Sequence, residues 1–119
     1  MQVNTYSLEP LSLAPPLRAR ACFPPTFPGF DGHFPGNPIL PGFCHIQLAV
    51  DFLQQLHPDT TLASVDNARF TRPIRPNDPI LLELTLEGTF SYVAALSVAG
   101  ETCSRFHLGL RQDAPALRR

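Results

Sequence analysis

His33 stands inside the run Gly32-His33-Phe34-Pro35-Gly36, and histidine is the side chain whose proton affinity suits acid–base work near neutral pH. Prolines around it would hold the ring with little freedom left to lose. A helix is expected directly after Pro41-Gly42. Its first amides have no intrahelical acceptor and carry the positive end of the dipole, so they can hold a carbonyl oxygen that gains negative charge in a reaction. Proline at a helix start leaves those amides available, and glycine lets a ligand approach the backbone. Further along the same helix come Gln47 and Asp51, four residues apart and on one face. A carboxyl can donate or accept a proton; a glutamine can only hydrogen-bond a hydroxyl or orient a water. The chemistry within reach is proton transfer beside a stabilised carbonyl. The plainer reading is a packed proline-rich loop with His33 as a structural hydrogen-bonding residue.

Other candidates read more plainly. Asp51, on an otherwise apolar helix, must be paired, hydrated or protonated. His45 lies about 200° around the helix from Gln47, so it reads as a satisfied core histidine. Cys44 reads as a small packing residue and His57, before Pro58, as part of a helix C-terminus. His107 alternates with Phe106 and Leu108 on a strand and points to nothing specific. Arg69, Arg72 and Arg75 form either a solvated strand edge or a landing site for an anionic partner.

The elements that must position these groups are legible. Six prolines between Pro24 and Pro41, with Gly29, Gly32, Gly36 and Gly42, exclude regular helix or central strand and give a long, stiff loop. Its Phe23, Phe27, Phe30, Phe34, Ile39 and Leu40 argue that it packs. Before it, Leu17 to Phe23 alternates apolar and polar residues as a strand does. After it, Gly42 to Leu56 is unbroken until Pro58 and apolar around most of its circumference, the pattern of a buried helix. Strands are expected over Thr61 to Arg72, Ile80 to Glu87, Phe90 to Val98 and Thr102 to Arg111, with hairpin turns at Gly88 and Gly100. The result is an α+β domain, an antiparallel sheet around one helix.

Bulk properties bound the rest. A chain of 119 residues fits one domain, residues 1–119, with frayed ends expected at roughly 1–10 and 112–119. With 44% apolar and 16% charged residues it reads as an ordinary globular protein. A formal net charge of −1 favours neither nucleic acid nor an anionic membrane. All nine basic residues are arginine, so an acidic partner would meet planar, bidentate donors. Cys22, Cys44 and Cys103 are odd in number and form no CxxC pair. Neither a disulfide framework nor a zinc site is expected, and reduced thiols fit a cytoplasmic protein. MQVNTYSLEP has no basic region followed by an apolar one, so no signal peptide is expected, and no apolar run approaches the roughly 20 residues that span a bilayer.

The segment GHFPGNPILPG resembles the GHFPGxPxxPG signature of 3-hydroxyacyl-(acyl carrier protein) dehydratases in residue type and spacing. SVDNARFTRPIRPNDPILLEL is similar to that family's strand-turn-strand after the helix, and together the two cover most of residues 29–87. The resemblance implies a hot-dog fold, a central helix wrapped by antiparallel sheet, and a dimer with active sites at the subunit interface. The partner copy would be a second copy of this chain or a homologous dehydratase. The resemblance makes His33 the catalytic histidine, sets the Gly42 amide on a thioester carbonyl, and places Phe34 and Phe43 beside the substrate. The implied reaction removes water from a 3-hydroxyacyl thioester to give a 2-enoyl thioester, in fatty-acid, polyketide or pigment-type chain synthesis. It implies no metal or organic cofactor, a substrate carried on phosphopantetheine, and an acyl carrier protein that Arg69, Arg72 and Arg75 would contact.

The pattern breaks at one position. The family carries Glu or Asp fourteen residues after the histidine, where this chain has Gln47, and usually Gln four residues later, where it has Asp51. Three readings stay open. Asp51 stands in for the missing carboxyl, though one turn, about 5.4 Å, further along the axis. His33 works alone with Gln47 as a positioner. Or the chain binds without catalysing and pairs with an active dehydratase. A hot-dog thioesterase is a further alternative, against which the HFPGxPxxPG loop argues.

Overall fold

The computed structural model describes residues 6–31 and 36–111. In chain order the elements are β1 (Ser7–Ser12), β2 (Leu17–Cys22), a 3-10 turn (Pro28–Phe30), α1 (Gly42–Leu56), β3 (Leu62–Phe70), β4 (Ile80–Gly88), β5 (Ser91–Val98) and β6 (Glu101–Leu110). The six strands form one sheet in the order β1-β2-β4-β5-β6-β3, with every pairing antiparallel.

Alternation sets which face of the sheet is buried. In β2, Leu17, Ala19 and Ala21 point inward while Arg18 and Arg20 point out, where they pair with Glu83 at 2.9 Å and Glu9 at 3.3 Å. In β4, Ile80, Leu82 and Leu84 continue the inner face, and β5 and β6 add Ala94, Leu96, Phe106 and Leu108. Against this face α1 buries Leu48, Ala49, Phe52 and Leu53, so helix and sheet share one core. Phe52 is fully enclosed, and burying such a side chain contributes roughly 1.5–3 kcal/mol.

The helix has the bounds expected from sequence. Pro41 occupies its N-cap in an extended conformation without a side-chain cap. At the other end the His57 amide donates to the Leu53 carbonyl at 2.8 Å, and Pro58 stops propagation. The hot-dog arrangement expected for the chain is thus present, a central helix with antiparallel sheet around it. Between β5 and β6, Ala99 and Gly100 both have positive φ, 53° and 81°, the combination of a type I′ hairpin turn.

One expectation needs correction. Residues 7–10, placed in a frayed end, belong to β1, which pairs with β2 from Ser7↔Cys22 to Ser12↔Arg18. Pro10 lies within this strand. β1 is a sheet edge, where a missing amide donor is tolerated, and its register shifts between Pro10 and Ser12. The other edge, β3, is exposed along most of its length and carries a bulge between Asp66 and Arg69, with Asn67 at φ 53°.

Candidate active site

The first turn of α1 supplies backbone donors. The Cys44 amide bonds back to Pro41 at 2.9 Å, whereas those of Gly42 and Phe43 precede the first intrahelical acceptors. Gly42 is closely approached here in a way the sequence did not show. A Cβ on it would lie 3.0–3.3 Å from the ring of Phe70, so the missing side chain makes room for a phenylalanine arriving from the end of β3. Phe70 in turn meets the His45 ring edge-on at 5.1 Å. These residues, with Arg72, line a cleft of about 440 Å³ on one side of the helix start.

A second cleft, about 360 Å³, opens beside the same helix. Its walls are aromatic, from Tyr6, Phe23, Phe27 and Phe43, and its polar groups are Gln47 and Asp51. Gln47 Nε2 donates to Asp51 Oδ1 at 2.8 Å, the contact expected of residues one turn apart. The hydroxyl of Tyr6 donates to Asp51 Oδ2. Asp51 is therefore paired, as an apolar helix demands, and each carboxylate oxygen has one internal donor. Burial, and then the hydrogen bond to Asp51, push the Tyr6 hydroxyl well above the ordinary tyrosine range, so it stays a donor. Cys44 also lines this cleft, and burial pushes its thiol up, which makes it an inert packing group.

Tyr6 is the site residue that sequence reasoning missed, because it lay in the expected frayed end. The β1–β2 register carries it there. Ser7 pairs with Cys22, so Tyr6 falls alongside Phe23, and their rings stack at 4.4 Å and 19°. Phe27 packs edge-on against both. The packed loop thus serves as the aromatic wall that aims the Tyr6 hydroxyl at the helix.

The remaining candidates divide. His33 and Phe34 lie outside the described residues. Phe43 is 69% exposed beside the cleft. His45 is a core residue, 2.8 Å from Ser104 Oγ through Nδ1; burial pulls it down to about 4, partly opposed by a hydrogen bond with the Leu40 backbone. His57 ends the helix and His107 contacts Glu87 at 3.0 Å. The three arginines have different surroundings. Arg72 binds Glu101 at 2.9 Å and contacts the Cys103 sulfur, and Arg75 donates to Asn37. Arg69 stands directly across β3–β6 from Arg105, a like-charged neighbour that the sequence did not reveal.

Comparison with known proteins agrees with this architecture. Residues 14–106, most of the chain, match the family described as ApeI-like, ApeI dehydratase. The chain belongs to the ApeI-like dehydratase family. It is 45% identical to the 3-hydroxyacyl-[acyl-carrier-protein] dehydratase FabZ of Caulobacter vibrioides, over 48% of this chain and 42% of that protein. It is 40% identical to the FabZ of Klebsiella pneumoniae, over 52% of this chain and 48% of that protein. The chain therefore spans less than half the length of these relatives. Among solved structures, the dehydratase heterocomplex ApeI:P from Xenorhabdus doucetiae superposes with a TM-score of 0.74, covering 89% of this chain and 99% of that one at 22% identity, a likeness of fold.

Proposed function

We propose that the chain, acting as a single domain in the cytoplasm, removes water from a 3-hydroxyacyl thioester carried on acyl carrier protein to give the 2-enoyl thioester. The observation that carries this reading is the pair Gln47–Asp51, the polar groups of an aromatic-walled cleft one turn from an uncapped helix start. A thioester carbonyl at that start would accept from the Gly42 amide, which faces the charge developing on the carbonyl oxygen. His33 takes the proton from C2, and that electron pair forms the C2–C3 double bond. The hydroxyl leaves C3 and receives the same proton from His33, so one water is released and the histidine returns to its starting state. Gln47 hydrogen-bonds the departing hydroxyl and Asp51 steadies Gln47. Phe43 and Phe34 flank the acyl chain, which is carried on phosphopantetheine, and the reaction as written uses no metal or organic cofactor. Of Arg69, Arg72 and Arg75, Arg69 faces the acidic carrier together with its cross-strand neighbour Arg105, while Arg72 is engaged by Glu101 and Arg75 by Asn37.

The site is completed by a second subunit, either another copy of this chain or a homologous dehydratase. Supporting this are the exposed β3 edge and the large apolar side chains Phe43 and Phe70, 69% and 47% exposed at the helix start. That the ApeI:P structure is a dehydratase heterocomplex supports the heterodimer as a partner arrangement.

Purified chain is incubated with a 3-hydroxyacyl carrier protein, and the acyl group is followed by enoyl absorbance and by mass. Loss of one water is the expected result. Release of free acid overturns dehydration in favour of thioester hydrolysis. Turnover that requires an added homologous dehydratase and survives His33→Ala overturns catalysis by this chain and makes it the binding subunit.

A further inference from the structure

The Tyr6 hydroxyl, the Asp51 carboxylate and the Gln47 amide form a continuous hydrogen-bonded line along one side of the aromatic cleft. A carboxylate accepts and never donates, so only the NH2 end of the Gln47 amide can face Asp51. The opposite end, Oε1, is thereby turned away from Asp51, and it accepts no hydrogen bond among the described residues. The order of the line fixes which end is turned away from Asp51: a neutral carbonyl acceptor, with the second N–H of the same amide on the Asp51 side. A free glutamine on an exposed helix surface would present its two ends about equally and would lose rotamer freedom on binding.

Tyr6 decides whether this line is rigid. Its ring lies stacked on Phe23 and edge-on to Phe27, and its hydroxyl closes on Asp51 from outside the helix. Without that hydroxyl, Asp51 is held from α1 alone, through Gln47 itself, and the two side chains can turn together. With it, Asp51 is also tied to the residue that leads into β1, so the start of the sheet edge and the helix fix the carboxylate between them.

We propose that Tyr6 is a positioning residue. Acting through Asp51, it locks the Gln47 amide with Oε1 free to accept a hydrogen bond from the 3-hydroxyl of the substrate. This deepens the proposed dehydration and rests on it for the identity of the hydroxyl, though not for the orientation of the amide.

The test uses Tyr6→Phe, which keeps the ring and its stacking while deleting only the donor. The Gln47 side-chain amide is followed in a 15N-correlated NMR spectrum of the whole chain, its signal assigned by its disappearance in Gln47→Ala. In the native chain it should be displaced by its bond to a carboxylate and protected from exchange. In Tyr6→Phe it should move toward the free-glutamine position and exchange faster. An amide signal unmoved by Tyr6→Phe overturns the proposal whatever the activity. In turnover, kcat should fall roughly tenfold with KM little changed, since misplacing a catalytic contact acts on the reacting geometry. The same substitution in a Gln47→Ala background should then cost nothing further; an undiminished loss there shows that Tyr6 acts by another route and also overturns the proposal. If the native chain dehydrates nothing while the amide signal responds to Tyr6→Phe, dehydration fails and the positioning line stands.

Discussion

Gln47→Glu puts a second carboxyl where an amide now donates to Asp51 across 2.8 Å. Two unit negative charges at that separation repel by about 1.5 kcal/mol in bulk water, and by about 6 kcal/mol at an effective dielectric near 20. Gln47 is exposed and Asp51 half-buried, so screening sets the value near the lower end, roughly 2 kcal/mol. Like-charged carboxyls avoid that cost by sharing a proton, and roughly 2 kcal/mol tightens the pair's hold on it about thirtyfold. The variant therefore carries one carboxylic acid and one carboxylate in mildly acidic solution. The acid proton either bridges to Asp51 in place of the lost amide donor or is given to the leaving hydroxyl, a proton donation that glutamine cannot make.

Under the proposed reaction, kcat of Gln47→Glu should exceed the native value by about tenfold or more, within the range a positioned proton donor contributes. The gain should be confined to the acidic side and vanish as the shared proton is lost. Stability gives an independent check. The folded state binds this proton more tightly than the unfolded chain, so the stabilising contribution is complete below the ordinary glutamate range and is lost as pH rises through the folded value. Urea denaturation should find the variant close to native near about pH 4, and roughly 2 kcal/mol weaker near about pH 8.5. A variant whose rate and stability profiles both superimpose on the native ones would refute the reasoning, since it would mean the two side chains are not adjacent in solution.

Burial holds His45 down to about 4 from an ordinary 6.5, so the stability tied to its neutral form is present above the ordinary range and is lost as pH falls through the folded value. Between about pH 7 and about pH 4.5 the native chain should lose roughly 2–3 kcal/mol from this group, and His45→Gln, which keeps a polar contact to Ser104 without titrating, should flatten that slope in urea melts. Arg69→Ala and Arg105→Ala should each raise KM for carrier-bound substrate by about two- to fivefold at low salt, with no change for a short pantetheine thioester. Arg72→Ala, whose guanidinium is engaged by Glu101, should leave that KM near native, and equal effects of all three would contradict the division seen here. Ala99→Asn relieves a non-glycine residue at φ 53° in the β5–β6 turn, so it should raise the thermal midpoint, equivalent to roughly 0.5–1 kcal/mol; a lowered midpoint would count against a type I′ turn.

What the sequence disclosed, and what it did not, follows from the range of the interactions involved. The helix was legible because its apolar positions, Pro41 before it and Pro58 after it are local signals. The inward alternation of Leu17, Ala19 and Ala21, and of Ile80, Leu82 and Leu84, was legible for the same reason. β1 was not, because SLEPLS lacks a clear alternation and contains a proline that only an edge position tolerates. Tyr6 was lost with it. Its role depends on a register with β2 and on a partner 45 residues away, neither of which leaves a mark in local pattern. Gly42 was noticed for backbone access, yet its close neighbour is Phe70, 28 residues on, folded back over the helix start. Arg105 escaped notice because cross-strand neighbours are set by register rather than by spacing along the chain.

The departure that the sequence resemblance implies at residues 47 and 51 is best treated as one exchange. Either order of glutamine and aspartate gives the helix one acceptor-only group and one donor, so the hydrogen bond between them survives reversal. What changes is the charge nearest the helix start. With aspartate first, a negative group would sit one turn from the Gly42 amide and oppose charge building on a carbonyl bound there. With Gln47 first, that position is neutral, and the carboxylate is displaced by about 5.4 Å, toward the Tyr6 hydroxyl that donates to its remaining oxygen. The arrangement thus leaves the positive end of the dipole less opposed while removing a proton donor from beside the hydroxyl. In the proposed reaction this moves the demand for proton transfer onto His33 and the demand for orientation onto the Tyr6–Asp51–Gln47 line. Dehydration by this chain should accordingly depend on His33 for its pH profile and on Tyr6 for its kcat.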